Sequence, residues 1–424
     1  MFARFLKDRR GSIAPMLALT AVPMLGAVGM AVDYTRANAT RTAFQAALDS
    51  TALMLSKSAA NATSEQLQAD ANNYFNALFT RNNASNIAIN ATYTGTGGSK
   101  VALTGSATIN TNFLAVLGFN QINISAHSTA TWGNTRLRVA LVLDNTGSMS
   151  RDDKMTALKT ASKNLLTQLQ NAASTPDDVY VSIIPFNKDV NVDSSNYNQS
   201  WLRWDLWEAA NGSCSSSRYS TQSSCTANGK TWTPANHSTW NGCVTDRDQN
   251  FDTTNDAPFT GSTLYPAEQY SSCPVALTGL SNDWTALANK INAMQPSGNT
   301  NQAIGLQMGW QSLTASPFTV PAMDPNYKYT QVIILLSDGL NTQDRWYSNA
   351  SSIDARQQKT CDNIKAAGIT VYTVQVNTGG DPTSTLLQNC ASDQNKFFLL
   401  TSANEIVTTF NQIGTALSNL RLSM

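Results

Sequence analysis

The sequence predicts an α/β protein whose largest part is a doubly wound parallel sheet, preceded by an N-terminal transmembrane helix and a small α+β region. Three observations lead to this prediction: a charge-free apolar run near the N-terminus, a middle part in which Thr- and Ser-rich strands follow helices, and a C-terminal part in which apolar strands alternate with amphipathic helices. We place the domains at residues 1–34, 35–133 and 134–424, which suits a chain of 424 residues.

The run from Ile13 to Val32 is mostly apolar and carries no charge. At about 1.5 Å per residue it is long enough for the roughly 30 Å hydrocarbon layer of a bilayer. Basic residues outnumber acidic ones before the run, so the positive-inside rule keeps the N-terminus in the cytoplasm and exports the rest. They are Arg4, Lys7, Arg9 and Arg10 against Asp8. Two alternatives remain open, a buried core helix and a signal peptide cleaved near Ala39.

The middle part changes from helical to strand periodicity. Residues 35–57 and 64–79 place apolar side chains at helical spacing. Short apolar runs at 87–89, 101–103 and 122–124 are separated by Gly and Asn, which predicts a small antiparallel sheet. A long helix that leads into a small sheet is a pilin-like layout.

The C-terminal part alternates buried strands and helices, which is typical of a parallel sheet covered on both faces. The predicted strands are 137–143, 179–185, 331–336, 369–376 and 396–400. The predicted helices are 154–170, 284–293, 301–313, 353–367 and 404–420.

Residues 187–279 break this alternation, and the segment is too long for a plain loop. We interpret it as an insertion. Its tryptophans either form the insertion's own small core or present an aromatic recognition surface. They are Trp201, Trp204, Trp207, Trp232 and Trp240.

Six cysteines in an exported chain predict disulfides. Four of the six cysteines lie in the insertion. Six cysteines allow fifteen pairings, so the connectivity stays open. The spacing favours Cys214 with Cys225, Cys243 with Cys273, and Cys361 with Cys390.

Oxygen-bearing side chains stand where the predicted strands end. Asp144, Thr146 and Ser148 follow one strand at alternate positions, and Asp338 follows another. Thr300 lies just before a helix, and Gly147 is expected to let the backbone turn tightly. Because the carboxyl ends of parallel strands share one sheet edge, we expect these oxygens to converge.

Hard oxygen ligands with few carboxylates suit Mg²⁺, or Mn²⁺, and a partner's carboxylate could complete the coordination. The alternative for the run at Asp144 is an ordinary helix start, where Asp, Ser and Thr cap free amides.

Several functional classes lack support. The formal net charge is zero, with 28 basic and 28 acidic residues, and no basic stripe indicates nucleic-acid binding. No phosphate-binding GxxxxGK[ST] loop is present in the sequence. Only two histidines, His127 and His237, are available to a Ser-His-Asp triad, and neither follows a nucleophile elbow. We therefore expect a protein that is not an enzyme.

Residues 136–421 resemble the von Willebrand factor A family and its metal-ion-dependent adhesion site, Asp-x-Ser-x-Ser with a distant Thr and Asp. Asp144, Ser148, Thr300 and Asp338 match that pattern, and Thr146 departs from it by replacing the first serine. The resemblance implies direct metal contact for Thr146, Ser148 and Thr300, with Asp144 and Asp338 acting partly through water.

A second resemblance, to the TadG-like proteins of Tad/Flp pilus assembly, rests on Arg9-Arg10-Gly11-Ser12, the apolar run and Ala31-Val32-Asp33-Tyr34-Thr35-Arg36. It implies a single-pass protein of the bacterial inner membrane with a periplasmic or exported bulk. It also implies pilus-assembly components as partners. Met16 stands where processed pilins carry Glu, which favours a retained anchor.

Two alternative functions stay open. One is a secreted adhesin, cleaved near Ala39, that binds host or matrix ligands. The other is an exported hydrolase with an accessory A-type domain.

Overall fold

The structure is a computed structural model that describes residues 13–95, 98–132, 135–314, 316–325 and 327–422. The basic cluster at residues 4–10 and the Arg9-Arg10-Gly11-Ser12 motif lie outside the described residues. The chain divides into two compact units, the first ending at Asn134 and the second beginning at Thr135.

The first unit consists of two helices and a three-stranded antiparallel sheet. The helices are α1, Ile13–Leu55, and α2, Ser64–Leu78; the strands are β1, Ala84–Thr94, β2, Ser99–Asn110, and β3, Gln121–Trp132. The apolar run at 13–32 and the helical segment that continues it at 35–57 form one continuous helix, α1, which ends at Leu55. The helices and the sheet of the first unit share one core, which contains the fully buried side chains Phe44, Leu48, Phe75, Val101 and Leu103.

The N-terminal half of α1 exposes large apolar side chains. Met16, Leu17, Leu19, Met24 and Val28 are all exposed. Among the residues that the structure describes, no helix carries an apolar stretch long enough to cross a membrane.

The second unit is built on an eight-stranded sheet of five parallel strands and three antiparallel additions. Five strands are parallel: β4, Thr135–Asp144, β5, Val179–Phe186, β13, Lys328–Ser337, β14, Thr370–Val376, and β15, Phe397–Leu400. The antiparallel additions are β6, Val190–Asn191, β10, Cys243–Val244, and β12, Thr278–Ser281. All five predicted parallel strands are confirmed.

Helices cover both faces of this sheet, because successive side chains of a strand point to opposite faces. Val139 and Leu141 pack against one set of helices, Ala140 and Val142 against the other. The first face carries α3, Lys154–Ala172, α6, Trp284–Ala293, and α10, Asn404–Leu422. The second carries α7, Gln302–Thr314, α8, Ala350–Ala366, and α9, Thr385–Cys390.

The insertion consists of short elements whose aromatic side chains extend the core on the second face of the central sheet. They are β7, Leu202–Arg203, α4, Asp205–Ala210, β8, Gly212–Cys214, α5, Gln222–Ala227, β9, Trp232–Pro234, and β11, Tyr265–Pro266. Trp207 and Trp240 are buried, and Trp204 packs edge-on against both at 5.4 Å between ring centroids. Trp201, Trp204, Trp207 and Trp240 are thus core residues, but the core is the one on the second face of the central sheet, which the insertion shares instead of forming a core of its own.

The three disulfides join the pairs that the spacing favoured: Cys214–Cys225, Cys243–Cys273 and Cys361–Cys390. The first two lie in the insertion, and the third ties α8 to α9.

The strand order fixes where a site can form. The strand order is β10-β6-β5-β4-β13-β14-β15, with β12 paired to β5, so β4 and β13 are neighbours. The chain leads from β4 into α3 on the first face and from β13 into α8 on the second face. The loops after β4 and β13 therefore diverge and leave a crevice at the carboxyl edge, the usual ligand position in open α/β sheets.

Candidate metal centre

Asp144 is the last residue of β4 and is fully buried at this crevice. Its Oδ1 accepts a hydrogen bond from the Thr146 amide at 2.8 Å, and its Oδ2 accepts one from the Ser337 hydroxyl at 2.7 Å. Burial first, and then the nearby charge of Asp338, raise the pKa of Asp144 to about 6. Asp144 therefore orients the turn after β4 and adds negative charge beneath it.

A row of three oxygens crosses the crevice from the β4 loop to the β13 loop. The Thr146 and Ser148 hydroxyl oxygens are 2.9 Å apart, and the Ser148 hydroxyl donates to Asp338 Oδ1 at 2.6 Å. The structure thus brings Asp144, Thr146, Ser148 and Asp338 together.

The backbone turns tightly at Gly147, as expected, but without the positive φ that glycine adopts freely. Residues Gly147–Ser150 form a 3₁₀ turn, and Gly147 is not among the described glycines with positive φ. A Cβ at Gly147 would lie 3.5 Å from the Gly298 carbonyl oxygen, an ordinary contact. The left-handed glycine of this region is Gly298, with φ of +80°.

Thr300 lies in a loop that contacts both other loops. The Gly147 amide donates to the Gly298 carbonyl at 3.0 Å, and the Thr342 amide donates to the Thr300 carbonyl at 2.9 Å. Thr300 is buried, but among the described residues no hydrogen bond joins its hydroxyl to the other four predicted ligands. Its backbone is held at the crevice by the hydrogen bond from the Thr342 amide in the loop after β13.

Lys154, the first residue of α3, adds a positive charge that sequence reasoning missed. Its Nζ lies 2.5 Å from Asp338 Oδ2, and both side chains are almost fully buried. That carboxylate oxygen has no hydrogen bond of regular geometry in the described part of the chain. Nothing in the sequence distinguishes Lys154 from an exposed helix-start lysine, whereas Ser337 could have been noticed as the hydroxyl directly before Asp338.

The donor set fits a hard divalent cation. Two buried carboxylates and two hydroxyls face one crevice, and a cationic ammonium already lies against Asp338 Oδ2. The described residues contain no cluster of three or more His, Cys, Asp or Glu side chains arranged for a metal. The candidate centre depends instead on hydroxyl oxygens, which leave a bound ion short of negative charge and able to accept another ligand.

The two histidines lie in parts of the chain other than the candidate metal centre. His127 is on β3 of the first unit. His237 stacks on Trp204 with ring centroids 3.8 Å apart, and its Nε2 lies 2.8 Å from Glu208 Oε1.

Comparisons with known proteins match two parts of the chain. Residues 11–62 match the Flp pilus-assembly TadE/G-like family, and residues 265–412 match the von Willebrand factor type A domain. The second match includes Thr300 and Asp338 and begins after the Asp144–Ser148 turn. No curated protein matches in sequence.

Solved structures similar to this chain include three pilus proteins. The von Willebrand factor domain of a type V pilus tip protein from Porphyromonas gingivalis is 11% identical, with a TM-score of 0.39 over 68% of this chain and 97% of that one. A pilus adhesin from Lactobacillus rhamnosus GG is 14% identical, with a TM-score of 0.39 over 81% of this chain and 36% of that one. The PilB minor pilin from Streptococcus sanguinis is 11% identical, with a TM-score of 0.36 over 78% and 77%.

Proposed function

We propose that this chain, which carries a Flp pilus-assembly TadE/G-like segment and a von Willebrand factor type A domain, is a non-enzymatic component of pilus assembly or adhesion. In this proposal it binds a protein partner through a divalent metal at the carboxyl edge of its sheet. The observation that carries the proposal is the oxygen row of Thr146, Ser148 and Asp338 above the buried Asp144.

The residues have different tasks in this proposal. Thr146 and Ser148 hold Mg²⁺ or Mn²⁺ through their hydroxyls, with Thr300 completing the set from its adjoining loop. Asp144 fixes the turn through its bond to the Thr146 amide, and Asp338 supplies charge across the crevice. The metal, when bound, provides an electrophilic position for a carboxylate of the partner.

We also propose that the run from Ile13 to Val32 anchors the chain in the inner membrane, with the bulk periplasmic or exported. The exposed apolar side chains of α1, such as Leu19 and Met24, support an apolar surrounding for this half of the helix. A secreted form cleaved near Ala39 has less support. Ala37 is buried in the core of the first unit, and residues 37–39 lie within continuous helix.

Calorimetric titration of the purified full chain with Mg²⁺ tests the metal site. Ser148→Ala removes the hydroxyl that joins Thr146 to Asp338, so we expect affinity to fall about 10-fold or more, as for the loss of one well-placed ligand group. Ser150→Ala is the matched control, since its hydroxyl belongs to the same turn but donates to the Gly147 carbonyl and not to the oxygen row.

The functional readout is attachment. Cells that carry Ser148→Ala should assemble fewer pili or adhere less than cells that carry Ser150→Ala, at equal protein levels. Equal Mg²⁺ affinity in the two variants would refute the metal site. Reduced affinity with unchanged pili and adhesion would refute the role in attachment and leave the metal site standing.

A further inference from the structure

The loop between β2 and β3 of the first unit has a concentrated apolar surface. Residues 111–121 contain no charged side chain. Phe113, Val116, Leu117 and Phe119 are exposed to 51%, 86%, 50% and 66%. A cluster of this kind marks a surface that another apolar phase or partner covers.

The loop is held beside α1 by two specific contacts. The Asp33 carboxylate accepts hydrogen bonds from the amides of Asn112, Phe113 and Leu114, at 3.2, 2.8 and 2.8 Å. A Cβ at Gly29 would lie only 2.5 Å from the Phe113 Cβ, so the glycine permits the close approach. Asp33 is itself buried, and the loop therefore has a defined position along the helix.

That position is inside the charge-free part of α1. Asp33 is the first charged residue after the run, and the groove between helix and loop begins at Gly26. At about 1.5 Å of rise per residue, the part of α1 from Asp33 back to Gly26 is roughly 10 Å long, and the loop covers that length of the charge-free run. The groove has a volume of about 380 Å³, and its lining includes Gly26, Val28, Val32, Phe113, Val116 and Leu117.

We propose that the loop from Phe113 to Phe119 enters the outer leaflet of the bilayer beside α1, with lipid acyl chains in the groove. This inference rests on the proposed membrane anchor. Lipid is the occupant that the observations favour, because the exposed loop side chains lie level with helix turns that the anchor places in hydrocarbon. The two phenylalanines and the absence of charge suit that depth.

The test uses a single new cysteine in the full chain. All six native cysteines are in disulfides, so an introduced thiol is unique. Val116→Cys, labelled with bimane and reconstituted in vesicles of phosphatidylcholine and phosphatidylglycerol, reports the loop. Ser85→Cys is the matched control on an exposed position of β1 in the same unit, and Met24→Cys reports the anchor helix.

Acyl-chain-brominated lipid should quench the label at position 116 at least about 3-fold more than the label at 85, and aqueous iodide should do the reverse. If brominated lipid quenches the label at position 24 but iodide quenches the label at position 116, the loop inference is overturned and the anchor stands. Iodide quenching at both 24 and 116 would overturn the anchor as well. A label at 116 protected from both quenchers would assign the surface to a protein neighbour and also overturn the inference.

A conservative change in the tether gives a second readout. Asp33→Asn keeps the size of the side chain but removes the charge that accepts three amide hydrogen bonds. It should lower lipid quenching at 116 and leave quenching at 24 unchanged. Equal lipid quenching at 116 in both backgrounds would contradict the tethering role.

Discussion

Lys154 gives the candidate centre a positive charge of its own. Its ammonium lies against Asp338 Oδ2 at 2.5 Å, where a divalent ion would meet like charge. Two unit charges 4 Å apart interact by about 4 kcal/mol at an effective dielectric constant near 20. In the proposed centre, we therefore expect the ammonium to lower metal affinity and to compensate the two buried carboxylates when no metal is bound.

Replacing this lysine should separate the two effects. Lys154→Met is expected to tighten Mg²⁺ binding about 10-fold or more and to destabilise the metal-free protein, because Asp338 loses its cationic partner. Titration calorimetry and thermal unfolding with and without Mg²⁺ measure the two changes. Lys159→Met, on the same helix with its ammonium on the Asn292 carbonyl, is the control. Weaker Mg²⁺ binding in Lys154→Met would contradict this account.

Asp246 predicts a pH dependence of stability. It is buried and accepts hydrogen bonds from the Asn301 side chain and the Arg345 amide. Burial first, and then the charge of Asp344, raise its pKa from 3.8 to about 7. A raised carboxyl pKa means that the folded state holds the proton more tightly. Its contribution to stability is therefore full below about pH 4 and is lost as the pH rises through about 7.

Asp246→Asn should remove this dependence. Each pKa unit corresponds to about 1.4 kcal/mol, so the stability of the variant relative to the native protein should rise by a few kcal/mol at most between about pH 4 and 8. Thermal unfolding across that range measures it, with Asp381→Asn on an exposed carboxylate as control. Parallel curves for the native protein and Asp246→Asn would show that Asp246 does not titrate in this range.

At the scale of elements, the two disulfides of the insertion have unequal positions. Cys243 is buried on β10, which pairs with β6 at the edge of the central sheet, and its loop to Cys273 spans 30 residues. Cys214–Cys225 closes only 11 residues and joins β8 to α5 within the insertion. In the chain-entropy account, the longer loop stabilises the folded state more.

Removing each bridge by paired Cys→Ser changes should therefore give different results. Loss of Cys243–Cys273 is expected to lower the midpoint of thermal unfolding more than loss of Cys214–Cys225. In the variant that lacks Cys243–Cys273, limited proteolysis should cleave the insertion at an earlier time than the strands of the central sheet. Equal midpoints for the two variants would argue against a structural difference between the bridges.

At the scale of the whole molecule, the buried core residues of the two units lie on opposite sides, in the sequence, of the boundary between residues 134 and 135. The buried core of the first unit ends at Ala130, and the cores on the two faces of the central sheet begin at Leu137 and Ala140. No buried core residue of one unit belongs to the other in the described part of the chain. Each unit therefore has the core that independent folding requires.

A fragment that begins at Thr135 should fold without the first unit. We expect it to unfold cooperatively and to bind Mg²⁺ within about 3-fold of the full chain, since all five proposed ligands lie in its own core and loops. The same fragment with Ser148→Ala is the control for specific binding. A fragment that is unfolded, or that binds only when joined to residues 1–134, would contradict this division.

The sequence by itself determined the main helices and the parallel strands, and it predicted disulfides, whereas their pairing was settled by the structure. Burial on both faces makes β4 and β13 continuously apolar, and helix packing imposes a period near 3.6, so both signals are local and readable. The alternation at Asp144, Thr146 and Ser148 was readable for the same reason, because three candidate ligands from one turn stand close in the chain.

Only the tertiary structure decided which distant groups meet. It placed the Lys154 ammonium on Asp338 and set the Asp33 carboxylate on the amides of the loop at Phe113. The physical reason is that each contact depends on strand order, helix register and side-chain direction across separate segments. No local period in a sequence carries that information.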